Sequence, residues 1–179
     1  MAPIRAETAW RWGSSAMLRR AVGLVFLLVA MPGAPAGAAE WGTIVPGRST
    51  TASVRSQYGA PTRTASVKIE GYETDQWVYE GTQAPAGTRR MTVDFGLLAP
   101  AGFKREVVRT VRVEPNPGVF TRDVIVAGWG EPNRVSPAGQ PPQFVYVRGL
   151  IVGFDDQGWN VEWMVFTPPQ PAGPGGRQP

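Results

Sequence analysis

The chain of 179 residues contains no cysteine and no histidine. Without histidine or cysteine there is no Ser-His or Cys-His nucleophile system and no zinc site of the usual ligand type. Without cysteine there is no disulfide, although an exported protein normally has access to one, and no N-terminal cysteine to carry a lipid. The fold must therefore be held by its core. Charged residues are also sparse, at 18%. The longest uncharged apolar run, Ala21 to Met31, is too short for a bilayer core that needs about 20 residues.

That run is what a secretory signal requires. Arg19 and Arg20 precede it, Pro32, Gly33 and Pro35 break any helix after it, and Ala36-Gly37-Ala38 supplies the small-x-small cleavage pattern. Residues 1–38 are expected to be a signal peptide, with Ala39 or Glu40 as the new N-terminus. Met17 opens a signal of ordinary length, so residues 1–16 are expected to precede the true start. The Arg19-Arg20 pair lacks the flanking residues of a twin-arginine signal, which favours the general secretory route. The segment carries four of the eighteen basic residues and one of the fourteen acidic ones. The remaining chain has a net charge of +1, too little for an electrostatic footprint on nucleic acid or non-specific adhesion to an acidic membrane surface.

The rest of the chain contains a repeat. Residues 46–63, PGRSTTASVRSQYGAPTR, align without a gap on residues 117–134, PGVFTRDVIVAGWGEPNR. Pro46/Pro117, Gly47/Gly118, Thr50/Thr121, Gly59/Gly130, Pro61/Pro132 and Arg63/Arg134 are identical, and Val54/Ile125 and Tyr58/Trp129 are like for like. In each copy the threonine is placed to cap a helix. Val54 and Tyr58, or Ile125 and Trp129, share one helix face at i, i+4. The glycine ends the helix with a positive φ, and the proline prevents its continuation. So short a helix needs something to rest on.

Three strand-like segments follow each helix. They are 76–79, 91–95 and 107–114 after the first, and 143–147, 150–154 and 160–166 after the second. Turn chemistry separates them at 84–87, 99–102, 148–149 and 155–158. The expected fold class is α+β: two tandem modules, each one short helix on a three-stranded antiparallel meander. Module 1 is expected over 39–114 and module 2 over 115–167, sharing a sheet or packing edge to edge, with a disordered Pro/Gly-rich tail over 168–179.

The pattern Gly…Thr-x-x-x-Val-x-x-x-(large apolar)-Gly-x-Pro resembles the SmpA/OmlA family, to which the BamE-type lipoproteins of outer-membrane β-barrel assembly belong. Thr50, Val54, Tyr58, Gly59 and Pro61, and again Thr121, Ile125, Trp129, Gly130 and Pro132, carry the match. The strands Trp77-Val78-Tyr79 and Phe144-Val145-Tyr146 and the hairpin Phe154-Asp155-Asp156-Gln157-Gly158 extend it. The resemblance implies an envelope location and a role in binding or scaffolding. The tandem arrangement is also similar to secreted β-lactamase inhibitor proteins. The chain departs from the lipoproteins in lacking a lipidated cysteine, in its duplication, and in one extra residue between glycine and threonine.

Little here suggests catalysis, a metal or another cofactor, and none is expected. Asp155 and Asp156 could form a calcium or catalytic pair, but between two apolar strands and before Gln157-Gly158 they read as hairpin-turn residues. The aromatics are the functional candidates: Trp77, Tyr79, Phe144, Tyr146 and Trp163. They either fill the core beneath the helices or stand on the sheet face the helices leave open, where Trp and Tyr commonly anchor a partner. The expected function is non-catalytic binding of another envelope or secreted protein, in the periplasm or at the outer membrane. The alternative is inhibition of an enzyme.

Overall fold

The computed structural model describes residues 37–169. The expected signal peptide up to residue 36 and the tail from residue 170 lie outside the described residues. Helix α1 (Thr51–Tyr58) precedes strands β1 (Arg63–Ile69), β2 (Tyr72–Glu80), β3 (Thr88–Ala99) and β4 (Gly102–Pro115). Helix α2 (Arg122–Trp129) precedes β5 (Arg134–Val135), β6 (Gln143–Tyr146), β7 (Leu150–Phe154) and β8 (Val161–Phe166).

The helix ends follow from the residues named above. Thr121 Oγ1 accepts from the Val124 amide at 3.4 Å, and Ser53 Oγ accepts from the Thr50 amide at 3.3 Å. Gly59 (φ 76°, ψ −155°) and Gly130 (φ 78°, ψ −169°) end the helices with an extended rather than helical ψ, a region essentially restricted to glycine.

The strands correct the expected architecture. They do not form two tandem modules with three-stranded meanders. All eight lie in one antiparallel sheet of order β1-β2-β3-β4-β8-β7-β6-β5, and its core is one cluster drawn from both repeats. The segments β1 and β5, absent from the three-strand expectation, are the two edges. In β1 (RTASVKI) Ala65, Val67 and Ile69 do alternate with Ser66 and Lys68, the period of a strand, although the strand is exposed on most of its residues. The strand β5 has only two residues and too little sequence to carry a period. Two meanders of under 80 residues each would also leave an unpaired edge at β4 and at β8. Pairing those edges removes both and extends a single core.

The joint is two-fold symmetric in its register. On the helix-bearing face Trp77 pairs with Val93 and Val93 with Val111, while Phe144 pairs with Val152 and Val152 with Met164. Likewise Tyr79, Met91 and Val113 correspond to Tyr146, Leu150 and Phe166. At the centre Val111 pairs with Phe166 and Val113 with Met164. Each of these pairs is the image of the other, and Arg112↔Val165 lies on the axis. The bridges Thr50↔Val107 and Thr121↔Asn160 repeat the symmetry at the helix starts. The duplication read in the sequence is thus a pseudo-dyad through one sheet.

Candidate functional site: the open face of the sheet

Both helices cover the same face. There Val54 and Ile125 are buried, Tyr58 lies 6.0 Å from Tyr79 between ring centres, and Trp129 lies 6.0 Å from Tyr146. The hydroxyl of Tyr79 donates to the Gly59 carbonyl at 3.2 Å and that of Tyr146 to the Gly130 carbonyl at 3.1 Å. Each tyrosine therefore ties a helix end to the sheet. Trp77 packs edge-on to Phe95 at 4.9 Å and Phe144 edge-on to Phe154 at 4.8 Å. Of the five aromatic candidates, Trp77, Tyr79, Phe144 and Tyr146 are buried in this core. Only Trp163 is on the face without helices, and the structure does not bring the five together.

The core tyrosines carry a pH prediction. Burial pushes the Tyr79 hydroxyl up to about 12, and raises those of Tyr58 and Tyr146 above their ordinary value. An unfolded chain releases these protons near pH 10 while the folded chain keeps them. Stability that is full below pH 10 is therefore lost as pH rises towards 12, by up to about 1.4 kcal/mol per pH unit from Tyr79. Urea midpoints measured from pH 9 to 11.5 should fall with this slope, and Tyr79→Phe should flatten it.

The uncovered face reads differently in the two halves. One row of side chains crosses the whole sheet there: Arg63, Val78, Thr92 and Arg112, then Val165, Ile151, Val145 and Arg134. A second row holds Gln76, Asp94 and Thr110 in the first half, and Gln143, Gly153 and Trp163 at the matching places in the second. In the first half carboxylates hold most of the polar groups around them, although Arg109 Nε is buried without a hydrogen-bond partner. Glu80 bridges Arg63 at 3.0 Å and Arg90 at 3.1 Å. Asp94 accepts from Gln76 at 2.7 Å and from Thr110 at 2.6 Å.

In the second half Thr92 is replaced by Ile151, Arg112 by Val165, and Thr110 by Trp163. The Trp163 indole lies on Gly153, where a Cβ would approach it to 2.2 Å, so glycine at this place is a seat for the ring. Arg112 reaches over the axis, its Cζ 4.9 Å from the Trp163 ring centre and its Nε 3.6 Å from Glu114. Val145, Ile151, Trp163 and Val165 are half-buried, with neither α1 nor α2 over them. The sequence reading singled out Trp163 but not Ile151, Val165, Gly153 or Arg112. Aligning the strands of the two repeats, and not only their helices, would have exposed the contrast.

Asp155 is held by its turn. Its carboxylate accepts from the Asn160 side chain at 2.8 Å and the Trp159 amide at 2.9 Å, and these bonds keep it below the usual carboxylate range. Among the described residues no group of three or more acidic side chains is placed to hold a metal ion, and no helix is long and apolar enough to cross a membrane.

No family model matches the chain, and no curated protein matches it. Among solved structures, the crystal structure of a DUF4309 family protein, YjgB of Bacillus subtilis, is similar at 15% identity and a TM-score of 0.44, over 73% of this chain and 88% of that one.

Proposed function

We propose that the protein is an exported, non-catalytic binding protein that grips another envelope protein with the open face of β6, β7 and β8. The observation behind this reading is an internal control supplied by the duplication. At matching places on the helix-bearing face both halves carry large apolar groups, because the core needs them. At matching places on the open face the first half carries Thr92, Thr110 and Arg112, and the same strand frame tolerates them. The fold therefore does not require Ile151, Trp163 and Val165 in the second half. Apolar side chains that the fold does not need, on a face that none of the described helices covers, are explained by a partner. The signal-like leader and the resemblance to the SmpA/OmlA family support the envelope location and an accessory role in outer-membrane assembly.

The dyad also supplies the test. A photo-reactive residue at Ile151 should cross-link a protein in the envelope of growing cells, and one at Thr92, its mate, should not. Equal capture at both, or none at Ile151, would sink the reading. Recovery of outer-membrane barrel components favours the assembly role, and a single hydrolase favours inhibition. Ile151→Thr installs the residue that the first half already carries. It should change the unfolding free energy by about 1 kcal/mol or less while weakening partner binding by about tenfold or more. Turnover of a cell-wall or sugar substrate, lost on removing one carboxylate, would overturn the non-catalytic assignment.

A further inference from the structure

One piece of the fold has no mate in the second half. Residues 39–45 form a strap on the helix-bearing side. Trp41 and Ile44 exchange backbone hydrogen bonds, both at 3.0 Å. Ile44 is buried at 1% exposure and Ala39 at 0%. The Trp41 ring packs on Phe120 at 6.3 Å and Phe166 at 5.7 Å in the second half, and its carbonyl accepts from the Tyr58 hydroxyl at 3.5 Å in the first. The strap therefore touches both helix regions. Its outer end is held by the Ala39 amide, which donates to the Arg148 carbonyl at 2.9 Å. One residue earlier the burial ends: Ala38 is half-buried and Gly37 exposed.

We propose that the chain is cut between Ala38 and Ala39, before the strap seats, and that the nitrogen released there becomes a structural anchor of the folded protein; this rests on the export reading above. Two cuts are compatible with the small residues of the sequence, leaving Ala39 or Glu40 first, and the fold distinguishes them. A cut after Ala38 keeps the buried methyl group and the nitrogen that bonds Arg148. A cut after Ala39 removes both and strands the carbonyl. In the hydrolysis water adds across the peptide bond: the Ala38 carbonyl carbon takes the hydroxyl and the Ala39 nitrogen takes the proton to become an amine. The proton of the new carboxylic acid then passes through solvent to that amine, leaving a carboxylate on the released segment and an ammonium on Ala39. A buried ammonium would be costly, but loss of Gly37 and Ala38 opens this one to a shallow pocket that they line together with Glu40, Gly128, Trp129 and Arg148. There the Arg148 carbonyl can take one of its protons and solvent entering the pocket the others.

The order of events follows from accessibility. A processing peptidase must draw the residues on both sides of the scissile bond into an extended form, and in the folded chain the residue after the bond is enclosed. Folded full-length protein should therefore resist a signal peptidase that cuts the same chain when it is unfolded in urea.

Full-length protein should be expressed in a Gram-negative host and its envelope fraction examined by intact mass and N-terminal sequencing. A product beginning at Ala39 is expected. An envelope product beginning at Glu40 or later overturns the proposed site and leaves the export reading standing. An uncut cytoplasmic chain overturns both. A second measurement compares chains begun at Ala39 and at Trp41. The first should melt about 5 °C or more higher, and equal melting temperatures would show that the Ala39 anchor is not structural.

Discussion

Phe166→Ala is expected to lower the unfolding free energy by about 3–5 kcal/mol, a large share of the 5–15 kcal/mol typical of a folded domain. Phe166 is buried at 2% exposure and pairs with Val111 across the central joint and with Leu150 on the other side. Its ring also meets Trp41 of the strap at 5.7 Å and Trp129 of α2 at 6.3 Å. Truncation therefore opens a cavity where both halves and the strap converge, and strand backbones hydrogen-bonded on either side cannot collapse into it. Val113 is the dyad mate of Phe166, and Val113→Ala removes far less volume and should cost less. Urea unfolding of both variants measures the difference. A loss below about 1 kcal/mol for Phe166→Ala would mean that the two halves do not share this core.

Gly149→Ala should be nearly as damaging, by about 2–4 kcal/mol, for a reason that no core argument supplies. Gly149 has φ +103°, and a Cβ there would stand 2.2 Å from the Thr167 carbonyl oxygen. The obstacle is backbone, so no side chain can swing aside. The Thr167 amide also donates to the Gly149 carbonyl at 2.7 Å, which binds the end of β8 to the tight turn between β6 and β7. The methyl group must either break that bond or push the chain after β8 away from the sheet. A melting temperature several degrees lower and faster proteolysis after Phe166 are expected, and an unchanged melting temperature would contradict the geometry. The dyad mate Arg90 is not among the residues with positive φ and follows a longer β2–β3 connection that contains the short 3-10 helix Gly81–Gln83.

The legible parts of the sequence were those whose causes are local. Thr50 and Thr121 before the helices, Gly59 and Gly130 after them, and Pro61 and Pro132 beyond fix where two short helices start and stop, since capping and φ preference act within a few residues. The repeat itself was legible for the same reason. The turns at 99–102, 148–149 and 155–158 also stand where glycine and aspartate placed them. The two-residue strand β5 was not legible, because it is too short to show a period and exists only by pairing with β6, whereas β1 carries its alternation at Ala65, Val67 and Ile69 even though its side chains face mainly water. The aromatic candidates show the same limit. Alternation put Trp77 with Tyr79 and Phe144 with Tyr146 on shared faces, but alternation carries no sign, and only packing against α1 and α2 declared those faces to be core.

By itself the sequence determined that the chain is duplicated, that each copy opens with a capped two-turn helix, and that no histidine or cysteine chemistry is open to it. Only the tertiary structure decided that the copies fuse into one sheet with a single core, and that Trp163, Ile151 and Val165 stand on the uncovered side. The physical reason is the range of the forces. Backbone preference and capping are settled between near neighbours in the chain, whereas strand pairing such as Arg112 with Val165 joins residues far apart in sequence and is chosen by burial of the whole.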